Sequence, residues 1–252
     1  MIKKFIHQFA SPKTYMFQIE RFYSPIFYTS FVIYIFSVIW GLFFTPADFV
    51  QGNSFRIIYL HVPASFLSQS LYVAMAFASV TYLIWRVKLA AYLIISIAPI
   101  GAMTTFIALI SGSIWGIPTW GTWWQWDARI TSTLILFIMY LGLISLHSSF
   151  SNYEKADRLL SWLVIVGAVN IPIIKKSVDW WSTLHQSASI TLSDKPSIDP
   201  QMLYPLIGST IGFFGLIICL VLLSSKNQIL LREQTKSCLL YTSDAADEWL
   251  RV

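Results

Sequence analysis

The sequence predicts an all-α integral membrane protein with six transmembrane helices and an external tryptophan-rich loop. Three observations predict it. Of the 252 residues, 56% are hydrophobic and only 12% charged, about half the charge of an ordinary soluble domain. The apolar residues fall in six runs long enough, or nearly so, to cross a bilayer as helices. The basic residues behind the net charge of +5 are scattered at the ends of those runs. There they set orientation in the bilayer and do not form a nucleic-acid patch.

The runs cover 25–44, 58–85, 91–113, 128–148, 159–177 and 203–224. The first follows a basic arm carrying Lys3, Lys4, Lys13 and Arg21. That arm has no early apolar core with a small-residue cleavage site, so it reads as retained and cytoplasmic. The second run starts just after Arg56 and ends at Arg86; the third follows Lys88. The fourth opens on Asp127 and Arg129. The fifth, "LLSWLVIVGAVNIPII", is the weakest: it is short, holds Asn170 and Pro172, and meets Lys175 and Lys176, which can snorkel to the interface. The sixth runs into Lys226, Arg232 and Lys236.

Residues 1–236 therefore form one six-span membrane domain, and no polar stretch is long enough for a separate core. The last stretch, "SCLLYTSDAADEWLRV" (237–252), changes character abruptly and reads as a non-native or unstructured tail. Leaving Arg251 aside, eleven basic residues lie on the side of the N-terminal arm and five on the other. That excess predicts cytoplasmic termini and three external loops, at about 45–57, 114–127 and 178–202. Cys219 and Cys238 form no CxxC pair, which argues against a dithiol carrier, and the absence of CxxCH argues against covalent haem of the c type.

Among four histidines, His7 and His147 read as polar residues at an interface. His61 begins the second span and His185 falls in the last external loop. Four crossings separate them, so they share a face, and the tryptophan loop shares it too. Two imidazoles far apart in sequence suit the two axial ligands of one flat metal cofactor; zinc wants three or four ligands, often closely spaced. Two unrelated interfacial histidines remain the alternative. Trp115, Trp120, Trp123, Trp124 and Trp126 lie within twelve residues, beside Gly116, Pro118 and Gly121. An aromatic belt needs one or two rings per helix end. Five look more like a stiff apolar shelf for a planar macrocycle. Asp127 is placed equally well to cap the fourth helix or to contact a ligand. Arg56 and Arg129 suit either porphyrin propionates or lipid phosphates.

These residues carry a resemblance. "WGIPTWGTWWQWDAR" resembles the WWD domain of haem-handling proteins in cytochrome c maturation. "PADFVQGNSFRIIYLHVPAS", "APIGAMTTFIALISGSIWG" and "VNIPIIKKSVDWWSTLHQ" resemble the CcmC family specifically, over roughly residues 1 to 235. The resemblance implies a six-span inner-membrane protein holding non-covalent haem b at the periplasmic face. It implies His61 and His185 as axial iron ligands and Trp115 to Asp127 as the WWD signature, with Arg56 and Arg129 flanking them. It further implies delivery to the haem chaperone CcmE, with the small protein CcmD and the ABC transporter CcmAB as partners. Lys175 and Lys176 depart from the family pattern.

The expected activity is ligand exchange and positioning, not conventional enzymatic turnover. The alternative is a haem-translocating permease subunit of an ABC-type exporter. Against it, the spans hold almost no ionisable groups and no G-x-x-x-x-G-K-[ST] occurs. A b-type oxidoreductase would keep its histidines at membrane depth, whereas His61 and His185 sit at one rim.

Overall fold

The computed structural model describes residues 11–181, 183–185 and 196–233. His7, Cys238, Lys195 and the tail 237–252 lie outside the described residues. The helices are α1 (Pro12–Phe43), α2 (Ile58–Trp85), α3 (Lys88–Trp120), α4 (Ala128–Ser148), α5 (Tyr153–Gly167), α6 (Asn170–Trp180) and α7 (Pro200–Glu233), with a 3-10 turn at Asn53–Ile57 leading into α2. Taking that turn with α2, and α5 with α6, gives six helical segments long and apolar enough to span a membrane.

Local chemistry sets the helix ends. Ser11 accepts the Thr14 N–H at 3.3 Å ahead of Pro12 at the first helical position, and Asn152 accepts the Lys155 N–H at 3.1 Å to start α5. Gly121, at φ 72°, closes α3 in the left-handed conformation that glycine adopts without strain. α1 and α7 begin or end well outside the apolar runs of the sequence, because the helices continue beyond the hydrocarbon core. α3 likewise continues through Trp120, so the first half of the expected loop 114–127 is helical.

The fifth span breaks in two, and Pro172 explains where. It has no N–H to donate to the Ala168 carbonyl. Ile171 donates to that carbonyl instead at 3.1 Å, in a tighter turn. Asn170, buried at the break, donates Nδ2–H to the Ser132 carbonyl of α4 at 2.9 Å, which ties α6 in place.

α3 is the most buried span and α1 the least. The core joins Leu67, Tyr72 and Met75 of α2, Ile94 and Ile97 of α3, Leu136 and Tyr140 of α4, Val164 of α5 and Ile217 of α7. Tyr140 reaches across to donate its hydroxyl to the Ser68 carbonyl at 2.8 Å, so its one polar atom is satisfied. α1 docks on α7 through small residues. A Cβ at Gly212 would lie 2.5 Å from the Tyr34 backbone nitrogen, and Gly208 and Gly215 abut Ser37 and Ser30. Lipid gives no hydrophobic drive for helix association, so close backbone approach of this kind supplies it.

One end of the bundle carries a buried ionic cluster. Arg232 donates Nη1–H to both Asp157 oxygens at 3.0 and 2.8 Å, and Nη2–H to His147 Nε2 at 2.8 Å. Because guanidinium only donates, His147 accepts there and is neutral. The guanidinium stacks on Tyr92 and Tyr153, at 5.1 and 4.6 Å to the ring centroids. Glu233 takes the Tyr92 hydroxyl and Lys88. This pins the ends of α4 and α7 to the starts of α3 and α5. His147 is thus no bare interfacial residue.

Candidate functional site

At the opposite end, the starts of α2 and α4 and the ends of α3 and α6 surround a cavity of about 400 Å³. Its walls are mostly apolar, with Phe55, Ile58, Val62 and Phe66 on one side and Leu109, Ile130, Ile174 and Leu206 on the others. That size and lining suit a small-molecule pocket. Both His61 and His185 line it, together with Trp115, Trp120 and Arg129.

Each imidazole is held in the same two ways. His61 Nδ1 lies 3.0 Å from Ser111 Oγ. The Ser111 hydroxyl donates its single hydrogen to the Ile107 carbonyl at 2.6 Å. Its oxygen must therefore accept from His61 Nδ1–H. That leaves the Nε2 of His61 with its lone pair. His185 Nδ1 lies 2.7 Å from Asp127 Oδ2, and a carboxylate only accepts, so His185 donates Nδ1–H to it, which directs Nε2 away from the carboxylate. Each ring also meets one indole edge-on: His61 meets Trp115 at 5.6 Å between centroids, and His185 meets Trp120 at 4.7 Å.

Helix α3 is the organising element. Ala108, Ser111, Gly112, Trp115 and Thr119 recur at three- and four-residue steps along one stripe, which directs them to one side of the helix. Gly112 makes room for the imidazole, since a Cβ there would sit 2.9 Å from His61 Cε1. Trp115 donates Nε1–H to Gln51 Oε1 at 2.7 Å, which fixes the indole against the first external loop. Gln51 is itself set by Asp48, whose Oδ1 accepts the Val50 and Gln51 N–H groups at 2.9 and 2.7 Å.

Of the two roles the sequence allowed, Asp127 takes the cap; it does not line the cavity, and its second oxygen reaches His185. Oδ1 accepts the Ile130 N–H at 2.8 Å and caps α4, while Oδ2 holds His185. Burial alone would raise its carboxyl. The hydrogen bonds from His185 and Ile130, with the charges nearby, outweigh that and hold it below the usual carboxylate value.

The other candidates divide. Arg129 lines the cavity and its guanidinium forms no hydrogen bond among the described residues. Arg56 lies outside the lining. It donates Nη2–H to the Thr45 carbonyl at 2.8 Å and Nη1–H to the Leu42 carbonyl, clamping the end of α1. Trp123 and Trp126 are exposed, and Trp126 packs edge-on against Trp124. Those three rings stand apart from the cavity wall, so the shelf at the histidines consists of Trp115 and Trp120. Lys175, noted in the sequence only as an interfacial cation, lines the cavity as well. Ser111, Gly112 and Gln51 were not anticipated. Extending the helical period of α3 backwards from Trp115 by one turn would have found Ser111.

A family model described as Heme exporter protein C matches residues 5–239. The chain is 47% identical over 234 residues to "Heme exporter protein C" of Haemophilus influenzae, covering 92% of this chain and 94% of the relative. It is 46% identical, with the same coverage, to the protein of that name from Escherichia coli K12. It is also 41% identical over 204 residues to "Putative cytochrome c biosynthesis ccmC-like mitochondrial protein" of Marchantia polymorpha, covering 81% of this chain and 84% of the relative.

Proposed function

The chain belongs to the CcmC family, heme exporter protein C, and from that premise we propose that its cavity holds one haem b non-covalently between His61 and His185 and presents it for transfer. A role in haem delivery for cytochrome c maturation follows from the family, as does a membrane haem-handling character. One observation carries the finer reading. Two imidazoles from segments far apart in sequence line a single cavity, each with Nδ1 tied to a partner, so that Nε2 is the nitrogen left to face a metal.

The residues fit such a cargo chemically. Nitrogen donors suit haem iron, the apolar walls suit a macrocycle, and Arg129 suits a propionate. Bound haem supplies the iron that the imidazoles hold. Ser111 and Asp127 keep the two rings in the ligating tautomer, while Trp115 and Trp120 fix their planes.

In this reading the cavity faces the periplasm, both termini lie in the cytoplasm, and the membrane is the inner one. The exposed rings of Trp123 and Trp126 stand where the chaperone CcmE would dock to take over the iron, and CcmD and CcmAB complete the assembly. Positioning of haem against CcmE can supply several kcal/mol of the barrier to its attachment.

The test is transfer. Haem-loaded protein is mixed with apo-CcmE and haem on CcmE is measured. We expect transfer from the wild type and reduced transfer from Trp120→Ala, whose loss frees the His185 ring. Unaltered transfer from a well-folded Trp120→Ala returns that indole to the role of an interfacial anchor.

A further inference from the structure

We propose that Lys175 is the second carboxylate-binding residue of the cavity, so that Arg129 and Lys175 together select a porphyrin with two ionised propionates. This rests on the reading that the cavity takes an iron porphyrin. Among the described residues the cavity wall carries two basic side chains, Arg129 and Lys175, and no acidic one. The charges of Asp127 and Asp179 act on Arg129, but each Asp127 oxygen is engaged in a hydrogen bond, one with Ile130 and the other with His185. Asp179, the acid closest in sequence to Lys175, pairs instead with Lys176 at 3.0 Å. Lys175 has no ion pair among the described residues. Lys175 is exposed as well as lining the cavity, so an incoming carboxylate can reach its ammonium.

The arrangement also replaces a partner that the sequence suggested. Arg56 would have provided the second guanidinium, but its two Nη groups are taken by the carbonyls of Leu42 and Thr45. Lys175 stands beside Ile174, which packs in the core at the cavity wall. The break at Pro172 starts a separate helix, α6, and with it sets the direction from which Lys175 reaches the site. Lysine presents a point charge on a flexible stem, whereas arginine offers a rigid fork. The pair would therefore hold one carboxylate firmly at Arg129 and leave the other looser at Lys175.

Purified full-length protein is titrated with iron protoporphyrin IX and with its dimethyl ester, in the wild type, Lys175→Met, Lys175→Arg and His61→Ala. The wild type is expected to bind the free acid at least about tenfold more tightly than the diester, as loss of charged hydrogen bonds implies. Lys175→Met is expected to lose about tenfold on the free acid and nothing on the diester. Lys175→Arg is expected to keep the preference, and His61→Ala to lose the bound spectrum with both probes. Equal wild-type affinity for the two probes overturns the role of Lys175 while leaving the haem reading intact. An equal loss on both probes in Lys175→Met does the same, since it marks a change of shape. Binding of neither probe to the wild type overturns both.

Discussion

Asp127 Oδ2 lies 2.7 Å from His185 Nδ1, while Oδ1 of the same carboxylate accepts the Ile130 N–H at 2.8 Å. One side chain thus starts α4 and orients an imidazole fifty-eight residues away in sequence. Asparagine caps a helix as well as aspartate does, but its amide nitrogen cannot accept from Nδ1–H. Asp127→Asn is therefore expected to keep thermal stability within about 1 kcal/mol and to lower haem affinity about tenfold to a hundredfold. Haem titration beside a melting curve checks both. Unchanged affinity would reduce Asp127 to a cap.

His61 depends in the same way on α3. Ser111→Ala removes the acceptor of its Nδ1–H and is expected to weaken haem binding about tenfold. Gly112→Ala places a methyl 2.9 Å from His61 Cε1, so the ring must move. It is expected to shift the haem absorption bands while destabilising the fold by about 1–3 kcal/mol. A wild-type spectrum from Gly112→Ala would mean that the imidazole does not sit where the iron needs it.

Arg56 offers a clean contrast with Arg129. Its bonds to Leu42 and Thr45 fasten the end of α1, so Arg56→Ala is expected to cost about 1.5–3 kcal/mol of stability. Haem affinity of the folded protein is expected to be unchanged. Arg56→Lys is not expected to rescue stability, because an ammonium lacks the fork that spans two carbonyls. Loss of haem affinity without loss of stability would restore Arg56 to the cavity.

At the far end, Arg232 has only 4% of its side chain exposed and faces Asp157 at 9%. Arg232→Leu leaves that carboxylate buried without its partner and is expected to destabilise by about 3–5 kcal/mol. Replacing Asp157 by Leu as well is expected to recover much of the loss. Thermal unfolding in detergent reads both. Equal stability of Arg232→Leu and wild type would show that the cluster is solvated.

Hydrophobic runs gave the six spans because bilayer thickness demands them, and α2 and α4 begin and end at the expected residues. They could not give the length of α3 or α7, since helices continue into the interface where apolarity no longer reports them. The break near Asn170 was visible as weakness in the fifth run, and Pro172 supplies its cause. Of the site, the parity of crossings was enough to bring His61, His185 and the tryptophan segment to one end. Which indoles face the imidazoles depends on the turn at Gly121, beyond which the helical period no longer governs direction. The carbonyl clamp of Arg56 and the approach of Lys175 arise from tertiary placement, which charge alone does not encode.

The central claim is that two imidazoles clasp one iron porphyrin. The most direct measurement is the absorption spectrum of the detergent-purified protein beside that of the His61→Ala, His185→Ala double variant. A bis-imidazole haem spectrum in the wild type that vanishes in the folded double variant is the predicted result. Full haem content with an unchanged spectrum in the double variant would contradict it.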